Sequence, residues 1–268
     1  MKLSFSVKFD KNEKWKFDGV DAYGGTKALL GFSQVLLLIL HAAVHEEVLI
    51  QTPYAKGVRV VLGRAKEGSL EQLLTMVTTD PQSLEVLRDL GKDAIYDLIK
   101  WALLSGVGVR HILRSRKAKK RIEALERDVD DLQERLDHSI RDIHLPIKKQ
   151  GLKIEFIGGR TIIAKFDEKT LEYLEVEVES PEAEIVYLAI SRFNARTGWG
   201  RCISGINEES TPFSPADRLT SRQKSRLADN LSLVARGRFE PIAMRIKRIS
   251  SSSGVLKRYR LLDVPEMD

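Results

Sequence analysis

Hydrophobic positions change their period several times along this chain. Leu3, Phe5, Val7 and Phe9 alternate with polar residues, which predicts a strand with one buried face. A turn-rich stretch follows, with Gly19 and the pair Gly24-Gly25. Thr26 is then the expected cap of a helix running to about His45. Val58 to Leu62 reads as a second strand closed by Gly63. Ser69 is expected to cap a short helix over Leu70 to Val77. Pro81 opens another helix, and Gly91 separates it from a last one near Asp93 to Leu104. This β–α–β–α–α order predicts a small sheet packed under helices, an α+β domain over residues 1–110.

From 112 to 143 the period lengthens to that of a heptad. Ile122, Leu125, Val129, Leu132, Leu136 and Ile143 form an apolar seam of about three repeats inside a run of charge. Arg114, Arg116, Lys117, Lys119, Lys120 and Arg121 make its start basic, and Asp128, Asp130 and Asp131 turn it acidic. Pro146 marks its end. The pattern predicts a central coiled-coil-like helix, residues 111–146, that assembles a homo-oligomer. Arg121 would then face Glu126 of a sister chain, and Ser139 would weaken the third repeat. Packing of the same stripe within its own chain is the alternative.

Beyond Gly151 short strands dominate. Leu152 to Ile157 and Thr161 to Phe166 read as a hairpin across Gly158-Gly159. Ile185 to Phe193 and Trp199 to Ile203 read as a second, turning at Asn194 to Gly198. A helix is expected over 218–236, with Leu219, Leu227, Leu231 and Val234 buried. A last hairpin joins Phe239 to Ile249 and Val255 to Leu262 across a serine run. Five or six strands and one helix predict a small SH3-like or OB-like β-barrel over residues 147–268.

Composition narrows the class. Over the 268 residues, 43% hydrophobic and 31% charged content describe a globular chain, and a net charge of +6 makes it mildly basic. One cysteine, Cys202, leaves no internal disulfide and points to a reducing, cytoplasmic setting. The apolar stretches 29–40 and 94–109 fall short of the roughly 20 uncharged residues of a membrane span, so buried core helices are expected.

Catalytic chemistry finds little footing. His41 and His45 share a helix face, but Ala42, Ala43 and Val44 stand where a zinc peptidase needs its carboxylate, so no metal site is expected. Cys202 sits beside Arg201 in a strand, where a cysteine behaves as a small hydrophobe. Neither glycine pair is followed by Lys-Ser or Lys-Thr, and Gly106-Val107-Gly108 trails a helix, so a nucleotide loop and a cofactor are not expected.

Charge is distributed more informatively than it is totalled. Residues 185–262 carry 15 Lys and Arg against 5 Asp and Glu. Arg192, Arg196 and Arg201 surround one hairpin that also bears Trp199. Arg245, Lys247, Lys257, Arg258 and Arg260 crowd another. Cationic strands with aromatic rings suit single-stranded nucleic acid, Arg meeting phosphate and rings stacking on bases. The alternative is that these cations pair with the acidic run 167–184, which has eight acids against one base.

The segment ALLGFSQVLLLILHAAVH (28–45) with Gly68-Ser69-Leu70-Glu71, and RFNARTGWGR (192–201) with FSPAD (213–217), resemble a family of uncharacterised two-domain bacterial proteins. That resemblance implies a Leu-rich α+β unit followed by a small β-barrel, in defence-linked gene neighbourhoods, and carries no catalytic residues. The resulting expectation is a non-enzymatic, oligomeric, cytoplasmic binding protein whose basic barrel contacts a polyanion such as nucleic acid. Two alternatives stand beside it: a regulatory or protein-interaction subunit, and a membrane-directed effector that inserts its apolar N-terminal helices.

Overall fold

The computed structural model describes residues 1–10, 19–49, 55–65, 70–78, 80–125, 129–206, 208–252 and 254–265, and of Asp130 the backbone only. It divides into two compact units, Met1–Leu174 and Glu175–Asp268.

The first unit is built on strand β1 (Lys2–Asp10), whose Leu3, Phe5, Val7 and Phe9 are buried as their alternation requires. Around it lies a five-stranded antiparallel sheet in the order β2-β3-β1-β4-β5, with β2 at Val58–Ala65, β3 at Glu71–Thr78, β4 at Lys153–Gly158 and β5 at Thr161–Phe166. Helix α1 (Ala22–His45) packs its Phe32 on Phe156 at 4.8 Å between ring centroids, and Phe156 stacks on Phe5 at 5.3 Å. Among the described residues only α1 is long and apolar enough to cross a membrane, and most of that stretch is buried in the unit.

Two local expectations change here. The helix starts at Ala22 rather than after Thr26, because the Asp21 carboxylate accepts the Gly24 N–H at 2.8 Å while its own N–H donates to Gln150 Oε1 at 2.7 Å. The segment expected as a helix over 70–77 is strand β3, and Ser69 lies outside the described residues. Leu74 sits opposite Phe5 and Met76 opposite Leu3, so sheet neighbours on both edges override a short helical pattern. Helix α2 (Pro81–Ser105) follows, capped by Asp80 and broken at Gly91, whose φ of 77° and ψ of 162° only glycine adopts readily.

The heptad stripe is not one helix. It forms α3 (Arg116–Ala124) and α4 (Val129–Ile143), followed by the short α5 (Leu145–Gln150) with Pro146 in its first turn. Leu125, Leu132, Leu136 and Ile143 are buried in the unit's own core, with Ile122 and Val129 packed against it. Helix α4 lies against α1, close enough that a Cβ on Gly31 would stand 2.5 Å from the Ser139 carbonyl oxygen. Ser139 Oγ donates to Gln34 Oε1 at 3.2 Å, which satisfies the hydroxyl at its buried position. The six residues expected to oligomerise the chain therefore complete its own core, and the coiled-coil reading gives way to a helical layer. Arg121 correspondingly pairs with Glu46, the residue that caps the C-terminus of α1; Glu126 lies outside the described residues.

The boundary moves with it. The β4–β5 hairpin forms as expected but joins the first sheet, Phe9 facing Ile154 and Phe5 facing Gly158, so the first unit runs on to Leu174. The three-part division at 110 and 146 thus becomes two parts, since the central helices and this hairpin bury the apolar faces of residues 1–110. Helix α6 (Glu168–Glu175) closes the unit.

The second unit is a closed five-strand barrel. Its strands are β7 (Glu184–Phe193), β8 (Gly200–Ile203), β9 (Thr211–Pro215), β10 (Ile242–Ser250) and β11 (Leu256–Asp263), and the β10–β11 pairing closes the ring. The two-residue β6 (Val178–Glu179) adds to β10. Leu188, Ile190, Cys202, Phe213, Met244, Ile246 and Leu261 fill the interior. Helix α7 (Ser221–Ala235) starts with a Thr220–Gln223 capping box and buries Leu227. Its buried Asn230 accepts the Ile190 N–H at 2.7 Å and donates to the Glu240 carbonyl at 2.7 Å, which ties the helix to the barrel wall.

Candidate functional site

The cationic residues picked out in the sequence fall on two hairpins of the barrel. On the β7–β8 hairpin Arg192 and Arg201 are cross-strand partners. Arg201 is spoken for, its Nε donating to Ser210 Oγ at 2.7 Å and its Nη2 to the Ser210 carbonyl at 2.9 Å. Arg196 stands exposed in the turn, where the Asn194 side chain accepts the Arg196 N–H at 3.0 Å. Arg196 forms no ion pair among the described residues.

Trp199 leaves that hairpin with 52% of its surface exposed, and the Arg258 guanidinium lies over its ring at 5.6 Å from the centroid. Arg258 also donates to Ser214 Oγ on β9, so strands β9 and β11 and the turn before β8 converge on one aromatic–cation platform. Sequence distance hid this juxtaposition. Strand β9, which carries Pro212 and Pro215 and is not among the expected strands, runs parallel to β11 and beside β8.

The second hairpin, β10–β11, gathers the remaining cations. Lys247 and Arg260 are cross-strand partners, and Lys257 and Arg258 precede Arg260 along β11. An acidic strap, residues 175–184, covers them. Glu177 lies 2.7 Å from Arg258 Nη2 and 3.7 Å from Lys257 Nζ. Glu179 lies 3.2 Å from Lys247 Nζ and 2.8 Å from Arg260 Nη1. Glu184 pairs with Arg248. The hydrogen bond from Arg258 is the largest influence on Glu177; despite opposing burial it holds that carboxyl below the usual range. Arg245 stays exposed, without an ion pair among the described residues. The sequence did not single out the strap's glutamates as site residues, although Glu-Val-Glu-Val-Glu carries the strand period and the acidic run was visible.

The other candidates take structural places. Cys202 is buried, its thiol pushed up to about 12 by burial, so it remains protonated and is no nucleophile near neutrality. His41 and His45 lie 4.6 Å apart between ring centroids, and His45 Nε2 meets the Lys56 carbonyl at 3.1 Å. No group of three or more His, Cys, Asp or Glu among the described residues is arranged for a metal ion.

Fold and site together define a two-unit protein of mixed helices and sheets with a cationic β-barrel. Residues 15–175 match the family described as a domain of unknown function, DUF7946, and the chain belongs to that family. The match begins after β1 and ends within a residue of the first unit's border, so it covers most of that unit and leaves the barrel outside it. No curated protein and no solved structure matches the chain.

Proposed function

We propose that this is a non-enzymatic binding protein whose C-terminal, OB-like barrel contacts single-stranded nucleic acid through Trp199 and the surrounding arginines. The observation that carries the reading is the exposed Trp199 ring held under the Arg258 guanidinium, with Arg196 exposed in the adjoining turn. An indole face and a guanidinium are what stacking on a base and neutralising its phosphate require. The bacterial and defence-linked setting rests on the sequence resemblance, and the cytoplasmic one on the single cysteine. The reading does not depend on copy number, since the stripe that argued for an oligomer is used within the chain.

The test is fluorescence anisotropy with a labelled oligothymidylate in the full chain. Stacking on one aromatic contributes about 1–3 kcal/mol per base, so Trp199→Ala should weaken binding about tenfold. Arg196→Glu with Arg245→Glu should weaken it further and flatten its salt dependence. No binding by the unaltered protein at low salt sinks the reading.

A second reading has its own observation. The strap is itself an acidic peptide seated on the basic strands, so an acidic protein segment is the alternative occupant.

A further inference from the structure

We infer that the strap occupies two anion slots of the barrel, which receive successive phosphates of a single strand once it lifts away. This rests on the nucleic-acid reading above and specifies which part of the barrel is used and what controls it. Each slot is built from two cations. Lys257 and Arg258 form the first, now filled by Glu177; Lys247 and Arg260 form the second, filled by Glu179.

The spacing is that of a backbone rather than of scattered contacts. Residues two apart on an extended chain are separated by about 7 Å. This is of the order of the distance between neighbouring phosphates in an extended single strand. A carboxylate at each position thus presents the barrel with a short imitation of that polymer. The first slot adjoins the Trp199 ring through Arg258, so a phosphate there leaves its base within reach of the indole. The strap turns Glu177 and Glu179 onto the barrel's cations and leaves Val176 and Val178 exposed, at 38% and 51%. Charge holds it there; apolar burial contributes little.

Its backbone pairing is short. It comprises Val178 with Ser250 and Glu179 with Ile249, extended by the Ser180 N–H donating to the Arg248 carbonyl at 2.9 Å, the Arg248 N–H donating to Ser180 Oγ at 3.0 Å and Lys257 Nζ donating to the Val176 carbonyl at 3.3 Å. Partly exposed ion pairs are individually weak and screened by salt. A nucleic-acid strand, with a phosphate for each slot and in addition a base for Trp199, has the means to displace it.

The experiment compares the unaltered chain with a Glu177→Gln, Glu179→Gln double variant, titrated with labelled oligothymidylate and separately with polyglutamate. Emptying the slots should tighten oligothymidylate binding about tenfold and steepen the log–log salt slope, by up to about 1.4 for two phosphates. In the unaltered chain, hydrogen exchange at Val178 to Ser180 should quicken when oligothymidylate binds, a readout that does not depend on the variant folding. If the unaltered chain binds through Trp199, the variant binds no tighter and those amides stay protected, the strap inference fails and the nucleic-acid reading survives. A gain for polyglutamate alone assigns the slots to an acidic protein and overturns the inference. Failure of both proteins to bind oligothymidylate overturns both proposals.

Discussion

His41 is where acid should first act on the first unit. It is 5% exposed, its Nδ1 has no hydrogen-bond partner among the described residues, and burial, then the neighbouring His45, lowers its pKa; Lys56 adds to this and Glu47 opposes it. A depressed folded value means that the unfolded chain takes up the proton more readily. The stabilisation from a neutral His41 is therefore complete above the ordinary histidine value and is lost as pH falls through the lower folded one. Thermal unfolding followed from neutral pH downward should show this loss, and His41→Leu should reduce it. Asp97 behaves as an acceptor hub. It takes the Arg114 and Ser115 N–H groups at 2.7 and 2.8 Å, and His111 Nε2 lies 2.7 Å away. Burial is the largest single influence and pushes its carboxyl up, but these bonds together hold it below the usual range. Its contribution is present above the ordinary carboxylate value and lost as pH falls through the depressed one. Asp97→Asn weakens all three contacts and should cost about 1–3 kcal/mol in urea unfolding. Such roles were only partly legible. The sequence showed a polar end to an apolar helix at His41, but nothing local links Asp97 to residues 14 to 18 positions away.

At the scale of elements, the α1–α4 crossing decides what the heptad stripe does. An apolar stripe gains nearly the same free energy against any complementary surface, so its period reveals that it is buried and leaves the partner open. Here Gly31 provides the close approach and α1 the surface. Leu132→Asp places a charge at a fully buried position and should unfold the first unit instead of separating oligomers. Circular dichroism and light scattering on one sample distinguish these outcomes. Gly31→Ala forces a Cβ against the Ser139 backbone and should lower stability by about 1–3 kcal/mol through overpacking. Strand β3 makes the same point about local preference. Glu71 to Thr78 lies between β1 and β2, and both neighbours supply backbone partners that a short helix would forgo.

At the scale of the molecule the described residues form two hydrophobic cores, one around α1 and its sheet and one inside the barrel. Leu227→Ala should therefore speed hydrogen exchange across the barrel strands while leaving β1 and α1 as protected as before, the usual cost of such a truncation being about 2–5 kcal/mol. Net charge hides a similar division, since the basic surplus of the barrel strands is partly met by the strap that precedes them. Period, turn residues and composition were enough to establish the first strand, the apolar helix, the three hairpins, the helix α7 and the concentration of cations. All of these follow from interactions between residues close along the chain. Tertiary structure alone decided that the stripe meets α1, that the β4–β5 hairpin extends the first sheet, and that Glu177 answers Arg258 across 81 positions. Apolar burial and charge attraction set how strongly surfaces associate without naming their partners, and only the closed path of the backbone selects among them.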